Sequence, residues 1–328
     1  MNKQEAISIL KEHNQEHVIK RLEALEDDAA KKLISQVAMI DWKVVESIND
    51  KSDSSSEDKK IEPLEAVEIK DIKANKEKYT AKGVEAIKNG KVAAVLLAGG
   101  QGTRLGLDKP KGTLNVGVNK DLFLFGQLIR NLLDVVDMTG AYVPLYIMTS
   151  DKNNEDTVAF FEEHNYFGYD KDYVKFFIQS MVPSVDYNGK LYMESTDSLA
   201  MSPNGNGGWF LSLMAAGLDK DMEEKGVEYV NVFAVDNILQ RIADPAFIGA
   251  TMLAGAECGS KVVRKCEPEE KVGVMCRVNG HPSIIEYYEM SEELANLRRE
   301  DGELTYGSWC SWLCQRSPLC ALYVHDFS

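Results

Sequence analysis

Apolar side chains recur at helical spacing through the first fifty residues. Ile7, Leu10, Val18, Leu22 and Leu25 form one set, and Leu33, Val37, Ile40, Val44, Val45 and Ile48 a second, with Glu and Lys between them. The pattern predicts amphipathic helices, each burying one stripe. The stretch KSDSSSEDKK at 51–60 has no apolar side chain to bury and reads as a solvated loop. A charged helical stretch over 72–89 follows. From Lys91 the texture changes, because Val92, Ala93, Ala94, Val95, Leu96 and Leu97 form an unbroken apolar run, as in a strand covered on both faces. Further strands are predicted at 143–148, 174–179, 229–235, 272–277 and 283–287, with helices near 124–136 and 209–218. Strands alternating with helices predict an α/β domain with a largely parallel sheet.

Length and charge narrow the function. A chain of 328 residues is long enough for about two domains with a full core. Its 37 Lys and Arg against 52 Asp and Glu give a net charge of −15, which opposes binding to nucleic acid or to an anionic membrane. No run approaches the ~18 apolar residues of a membrane span, and the amino end has no signal-peptide core, so a cytoplasmic protein is expected. The six cysteines, at 258, 266, 276, 310, 314 and 320, contain no C-x-x-C pair and are expected as thiols. The trio at 310, 314 and 320 lacks the partner pair of a zinc finger. The five histidines form no constellation.

The chemistry concentrates where the unbroken apolar run ends, in LLAGGQGTRLGLDKPKG from Leu96 to Gly112. Gly99, Gly100, Gly102 and Gly106 permit a tight turn whose N–H groups can face a phosphate, and Arg104 and Lys111 add cations to the same loop. The dinucleotide fingerprint fails, because Leu105 stands where its third glycine belongs, and no Gly-Lys-Ser/Thr marks a P-loop. Two other places carry candidate groups. Gly205-Asn206-Gly207-Gly208 lets backbone approach a flat ligand closely, although the same string can also be a hairpin connection. Asp236 follows the apolar run 229–235, which puts a carboxylate at the end of a central strand where open α/β sheets bind ligands. There it can serve magnesium, which needs few protein oxygens beside substrate phosphates; an Asp at a strand end can equally be a helix cap.

The string GGQGTRLGxxxPKG resembles the signature loop of the eukaryotic-type UDP-sugar pyrophosphorylases, in wording nearest to the branch that acts on N-acetylglucosamine. QSMVP at 179–183, SPNGNGG at 202–208, VDNIL at 235–239, Ala243-Asp244-Pro245, Lys261-Val262-Val263, VGVMCRV at 272–278 and Glu286-Tyr287 resemble family segments in the family's order. The resemblance implies a Rossmann-like nucleotidyltransferase core behind a helical amino-terminal domain. It also implies the reaction of UTP with N-acetylglucosamine 1-phosphate to give UDP-N-acetylglucosamine and pyrophosphate, with Mg²⁺ as cofactor. The alternatives are glucose 1-phosphate as the sugar substrate, or a noncatalytic relative that binds nucleotide sugars. By resemblance, Ala98, Gly99 and Gly100 lie beneath the nucleotide, Gln179 and Gly205 read the base, and Asn206, Gly273 and Glu286 face the sugar. Arg104 and Lys111 are the expected catalytic cations, and Asp236 the metal ligand. The domain boundaries expected are 1–88 for the helical domain, 89–306 for the core and 307–328 for an atypical tail.

That tail, SWCSWLCQRSPLCALYVHDFS after Gly307, departs from the family and is rich in Cys and Trp. Two explanations present themselves, a divergent terminal strand or a frameshifted or truncated reading frame whose tail was never selected to fold. The second is preferred here, because composition breaks where the resemblance breaks. It implies that the family's carboxy-terminal domain is missing and that UTP contacts outlast sugar contacts.

Overall fold

The computed structural model describes residues 1–47, 60–100, 102, 106 and 108–316. Four helices open the chain: α1 (Lys3–Glu12), α2 (Glu16–Ala24), α3 (Asp27–Ala38) and α4 (Trp42–Ser47). Next come β1 (Ile61–Pro63), α5 (Ile69–Ala74), α6 (Lys76–Lys88), β2 (Val92–Leu97), α7 (Leu124–Thr139), β3 (Leu145–Thr149), α8 (Asn154–Glu163) and β4 (Val174–Ile178). The short strands β5 (Met181–Pro183) and β6 (Met201–Pro203) precede α9 (Trp209–Ala215), α10 (Leu218–Glu224), β7 (Tyr229–Ala234) and α11 (Pro245–Leu253). The chain closes with β8 (Cys258–Arg264), β9 (Val274–Val278), β10 (His281–Ile285), α12 (Glu292–Ala295) and β11 (Tyr306–Gln315). The predicted helix over 209–218 is broken, because Gly217 takes a left-handed conformation at φ +72° and starts α10.

Two compact units result, one holding residues 1–47 with 180–204, the other holding 60–179 with 205–316. In the first, Leu10, Val18, Leu22, Leu33 and Val37 from the helical stripes share a core with Leu191 and Leu199 of the 180–204 excursion. Two glutamines fasten that excursion to the helices. Buried Gln15 donates through Nε2 to the Gly189 carbonyl at 2.8 Å and accepts from the Leu191 amide at 3.0 Å. Gln36 accepts from the Leu199 amide at 2.9 Å.

The second unit is built on a nine-stranded sheet, with β1-β9-β11-β7-β2-β3-β4 in lateral order, β10 beside β9 and β8 beside β11. The sector β7-β2-β3-β4 is parallel. Strand β2 is buried at all six positions, and its alternate residues feed opposite cores, as a period of two requires. Val92, Ala94 and Leu96 join Phe125, Leu128, Ile129 and Leu132 of α7 and Phe161 of α8. Ala93, Val95 and Leu97 join Trp209, Phe210 and Leu213 of α9 and Met222 of α10. Helices therefore cover both faces of the parallel sector.

The observed boundaries correct the expected ones. Residues 60–88 belong with the sheet rather than with the amino-terminal helices, because β1 pairs with β9 and α6 buries Ala86 and Ile87 in the sheet's core. The excursion 180–204 belongs with the helices. The expectation of an unfolded tail is corrected for residues 307–316, since β11 lies antiparallel between β7 and β8. Leu313 is fully buried in one core, and Trp312 packs on the other. Buried Asn231 of β7 donates to the Trp312 carbonyl at 2.9 Å and accepts from the Ala243 amide at 2.8 Å. Arg316 donates through Nε to the Val227 carbonyl at 2.8 Å. The physical reason is binary pattern: Trp312 and Leu313 alternate faces as a buried strand demands. Residues 317–328, and the loop predicted at 51–60 apart from Lys60, lie outside the described residues.

Carboxylates tie the sheet edge together. Glu68 accepts from the Tyr306 hydroxyl, from Arg264 at 2.5 Å and from Arg299 at 3.0 Å, and the nearly inaccessible Arg299 guanidinium lies 4.3 Å from the centre of the Tyr306 ring. The Tyr306 and Arg264 hydrogen bonds hold the Glu68 carboxyl at about 2, below its ordinary 4.5. Between those values the unfolded chain binds the proton and the folded chain does not, so acid disfavours folding there. Thermal melts of the wild type and Glu68→Gln should differ most above about pH 4.5 and converge toward pH 2. A gap that stayed constant across that window would show that Glu68 is not linked to folding.

Candidate active site

Across the parallel sector the chain order is third, second, first, fourth, since β4, β3, β2 and β7 lie side by side. The chain moves outward from β2 in one direction and later returns on its other side. Connections leaving the carboxyl ends of β2 and β7 therefore diverge, opening a crevice of the kind in which α/β sheets seat ligands. Four expected site residues end these strands: Gly99 and Gly100 just past β2, Gln179 just past β4 and Asp236 just past β7.

Gln179 is only 5% exposed. Its amide donates to the Thr149 carbonyl at 2.8 Å, which extends the β3–β4 ladder by one rung. Its carboxamide lies against Gly99, where a Cβ would displace the side-chain nitrogen, so the missing side chain leaves room for the Gln179 carboxamide. Gly205 is brought to the same place by the neck of the excursion. The Asn204 amide donates to the Ser180 carbonyl at 3.0 Å, and Met181 pairs with Pro203. The chain thus leaves the sheet right after Gln179 and re-enters beside it at Gly205. From there Asn206–Gly208 forms a single 3₁₀ turn into α9, whose Trp209 and Phe210 pack with Leu97, Met148 and Phe177.

Lys111 and Asp236 face each other. The loop from Gly100 turns back through hydrogen bonds from the Gly102 amide to the Lys109 carbonyl, 3.1 Å, and from the Lys111 amide to the Gly100 carbonyl, 3.5 Å. Lys111 then begins a 3₁₀ turn closed by Thr113, whose hydroxyl donates to the Pro110 carbonyl at 2.8 Å. Lys111 Nζ reaches Asp236 Oδ2 at 2.7 Å, with the side chains 29% and 57% exposed. A pair this open to water is held by about 0–1 kcal/mol. The turn after Asp236 is fixed by Lys261, which donates to the Arg241 carbonyl at 2.9 Å and sits 3.4 Å from Asp244. Burial lowers the Lys261 pKa from its ordinary value, against the opposing pull of Asp244. Arg104 lies outside the described residues.

Gly273 and Glu286 also come together, on the sheet's β9–β10 side. A Cβ on Gly273 would stand 2.9 Å from Ile284 Cγ2 and 3.1 Å from Glu286 Oε1, so the missing side chain leaves room for the carboxylate.

One residue absent from the sequence reading organises the loop. Asn153, 1% exposed, donates through Nδ2 to the Ala98 carbonyl at 3.0 Å and to that of Gly100 at 3.4 Å, while its Oδ1 accepts from the Ser150 amide at 2.7 Å. It thereby ties the turn beyond β2 to the one beyond β3. The string SDKNNED around it is polar throughout, so nothing local marks Asn153 as buried.

Comparisons with known proteins identify the family of the chain. A family profile described as UTP–glucose-1-phosphate uridylyltransferase matches residues 39–303. The human UDP-N-acetylhexosamine pyrophosphorylase-like protein 1 is 44% identical over 253 residues, which are 75% of this chain and 50% of that protein. The Saccharomyces cerevisiae UDP-N-acetylglucosamine pyrophosphorylase is 41% identical over 261 residues, 76% of this chain and 54% of the relative. The chain thus spans about half the length of these relatives. The crystal structure of the Trypanosoma brucei uridine diphosphate N-acetylglucosamine pyrophosphorylase, in complex with an inhibitor, superposes with a TM-score of 0.80 at 31% identity, covering 96% of this chain and 67% of that one.

If Asn153 holds the turn, Asn153→Ala leaves two carbonyls short of a donor and should cost about 1–3 kcal/mol in urea unfolding. Amide exchange at Gly99 and Gly100 should accelerate while β7 stays protected. Unchanged exchange at the two glycines would rule out the clamp.

Proposed function

The chain belongs to the UTP–glucose-1-phosphate uridylyltransferase family, and on that premise we propose that it is a uridylyltransferase that converts UTP and N-acetylglucosamine 1-phosphate to UDP-N-acetylglucosamine and pyrophosphate. The observation that carries the reading is the pairing of Lys111 with Asp236 across the switch-point crevice, beside a glycine turn pressed against Gln179. A polyphosphate laid on that turn meets backbone N–H groups, a cation and a carboxylate within one cleft. N-acetylglucosamine is favoured over glucose because the relatives named for the acetamido sugar share 41% of aligned residues in budding yeast and 37% in fission yeast. Structures named for UDP-glucose pyrophosphorylase stand at 14–17%.

The sugar phosphate is already an oxygen nucleophile, so no acid, base or covalent group is needed to generate one. One phosphate oxygen attacks the α-phosphorus of UTP in line, the α–β bridging bond breaks, and pyrophosphate leaves with the electron pair. Catalysis is then positioning and charge stabilisation. Gln179 offers uracil a donor and an acceptor, Gly205 bares backbone to the ring, and Ala98, Gly99 and Gly100 floor the nucleotide. Lys111 can turn from Asp236 to a phosphate oxygen at little cost, and Arg104 shares that role. Asn206, Gly273 and Glu286 are assigned to the sugar. Asp236 offers an exposed hard oxygen, a donor that fits magnesium carried in with the nucleotide. When bound, that ion supplies further charge neutralisation on the phosphates. We assign the protein to the cytoplasm; among the described residues no helix is long and apolar enough to cross a membrane.

Exchange of labelled pyrophosphate into UTP should proceed with UDP-N-acetylglucosamine and exceed that with UDP-glucose by about tenfold or more, since a pocket shaped for the acetamido group leaves polar atoms unpaired around glucose. Equal exchange would favour glucose, and tight nucleotide-sugar binding without exchange would make the chain a noncatalytic binder. Lys111→Ala should lower kcat by roughly 10²-fold with the melting temperature preserved. Asp236→Asn should raise the magnesium concentration needed for half-maximal rate; an unchanged titration would move the ion elsewhere.

A further inference from the structure

Strand β11 runs beside β8 in a register that sets Cys314 directly opposite Cys258. The Gln315 amide donates to the Glu257 carbonyl at 2.7 Å, which makes that couple the hydrogen-bonded one. In an antiparallel ladder the neighbouring couple is then non-hydrogen-bonded, where opposed Cα atoms approach to about 4.5 Å and side chains converge. Cys314 and Cys258 occupy that position. Their sulfurs stand 3.7 Å apart, and a Cα separation of about 4.4–6.8 Å is what a disulfide spans. Side-chain rotation alone can therefore close the bond. Access is asymmetric, with Cys258 exposed and Cys314 buried, so an oxidant in solvent meets one sulfur while the other lies behind it.

We infer that Cys258 and Cys314 form a redox-responsive pair, which hydrogen peroxide converts to a cross-strand disulfide fastening β11 to β8. The inference is independent of the uridylyl-transfer reading. The Cys258 thiolate attacks one peroxide oxygen, the O–O bond breaks, and hydroxide leaves, giving a sulfenic acid. The Cys314 sulfur then attacks the sulfenic sulfur. The S–O bond breaks, and the departing hydroxide takes the Cys314 proton as water. Two thiols lose two electrons, and one peroxide becomes two waters. A dithiol reductant reverses the change by exchange.

The consequence falls on β11. β11 is the strand whose Ser311 to Gln315 pair with β7, and β7 leads directly into Asp236. Cross-linking positions 56 residues apart restricts the unfolded chain and should stabilise the folded one.

The test treats the full chain with excess hydrogen peroxide, caps remaining thiols with N-ethylmaleimide, and maps unreduced peptides by mass spectrometry. The expected product joins the Cys258 and Cys314 peptides with loss of two hydrogens. It should be absent in Cys258→Ser, a substitution at an exposed site, and be reversed by dithiothreitol, with the oxidised wild type melting several degrees higher. A Cys258 sulfinic acid with Cys314 still open to alkylation after unfolding would overturn the proposal. So would bonding of Cys258 to Cys266, Cys276, Cys310 or Cys320, or failure of any cross-link to form.

Discussion

Strand β2 has water on neither face and a parallel neighbour on each edge, and the rest of the architecture follows from satisfying it. Six apolar residues in a row need a helical layer above and another below, which α6, α7, α8 and α11 supply on one side and α9 and α10 on the other. Its backbone needs a ladder on both edges, so the chain must go to β3 on one side and return to β7 on the other. The crevice at the ends of β2 and β7 results from that bidirectional pairing. Binding groups can gather there because three strand ends and one re-entering loop converge on it.

The sequence pattern made the parallel sector legible because buried strands of this kind differ so sharply from amphipathic helices. The 92–97 run, the 145–149 and 229–234 strands and the α7 stripe were all readable from burial period alone. The edges were not. β1 and β8 are half-exposed, with mixed polarity, and pair with partners far away in sequence, which no local window reveals. The excursion 180–204 was invisible as part of the helical unit for the same reason: Gln15 and Gln36 anchor it across more than 160 residues. The tail misled through composition. Its cysteines and tryptophans break from the resembled family, while the alternation of Trp312 and Leu313 between faces is what makes it a strand.

The site divides along similar lines. Glycine positions and loop cations stand out as candidates because turns and phosphates favour particular residue types at short spacing. Their partners came from topology. Lys111 meets Asp236 across 125 residues, and Gly99 meets Gln179 only because β2 and β4 flank β3. Asn153 shows the limit most plainly, since a buried amide that serves two carbonyls looks in sequence like any polar loop residue. The Lys111–Asp236 contact would also let an acidic chain receive the anionic substrate proposed for it. Its cation is kept in the cleft by an exposed carboxylate that holds it weakly.

The central claim is that the nucleotide seats at the carboxyl ends of β2, β4 and β7, and hydrogen exchange of the full chain with and without UTP and magnesium tests it most directly. Added nucleotide should slow exchange in peptides carrying Ala98–Gly100, Gln179, Gly205 and Asp236, and leave the β9–β10 hairpin unchanged until a sugar phosphate is supplied. Protection confined to the helical unit, or none at saturating UTP, would contradict the account.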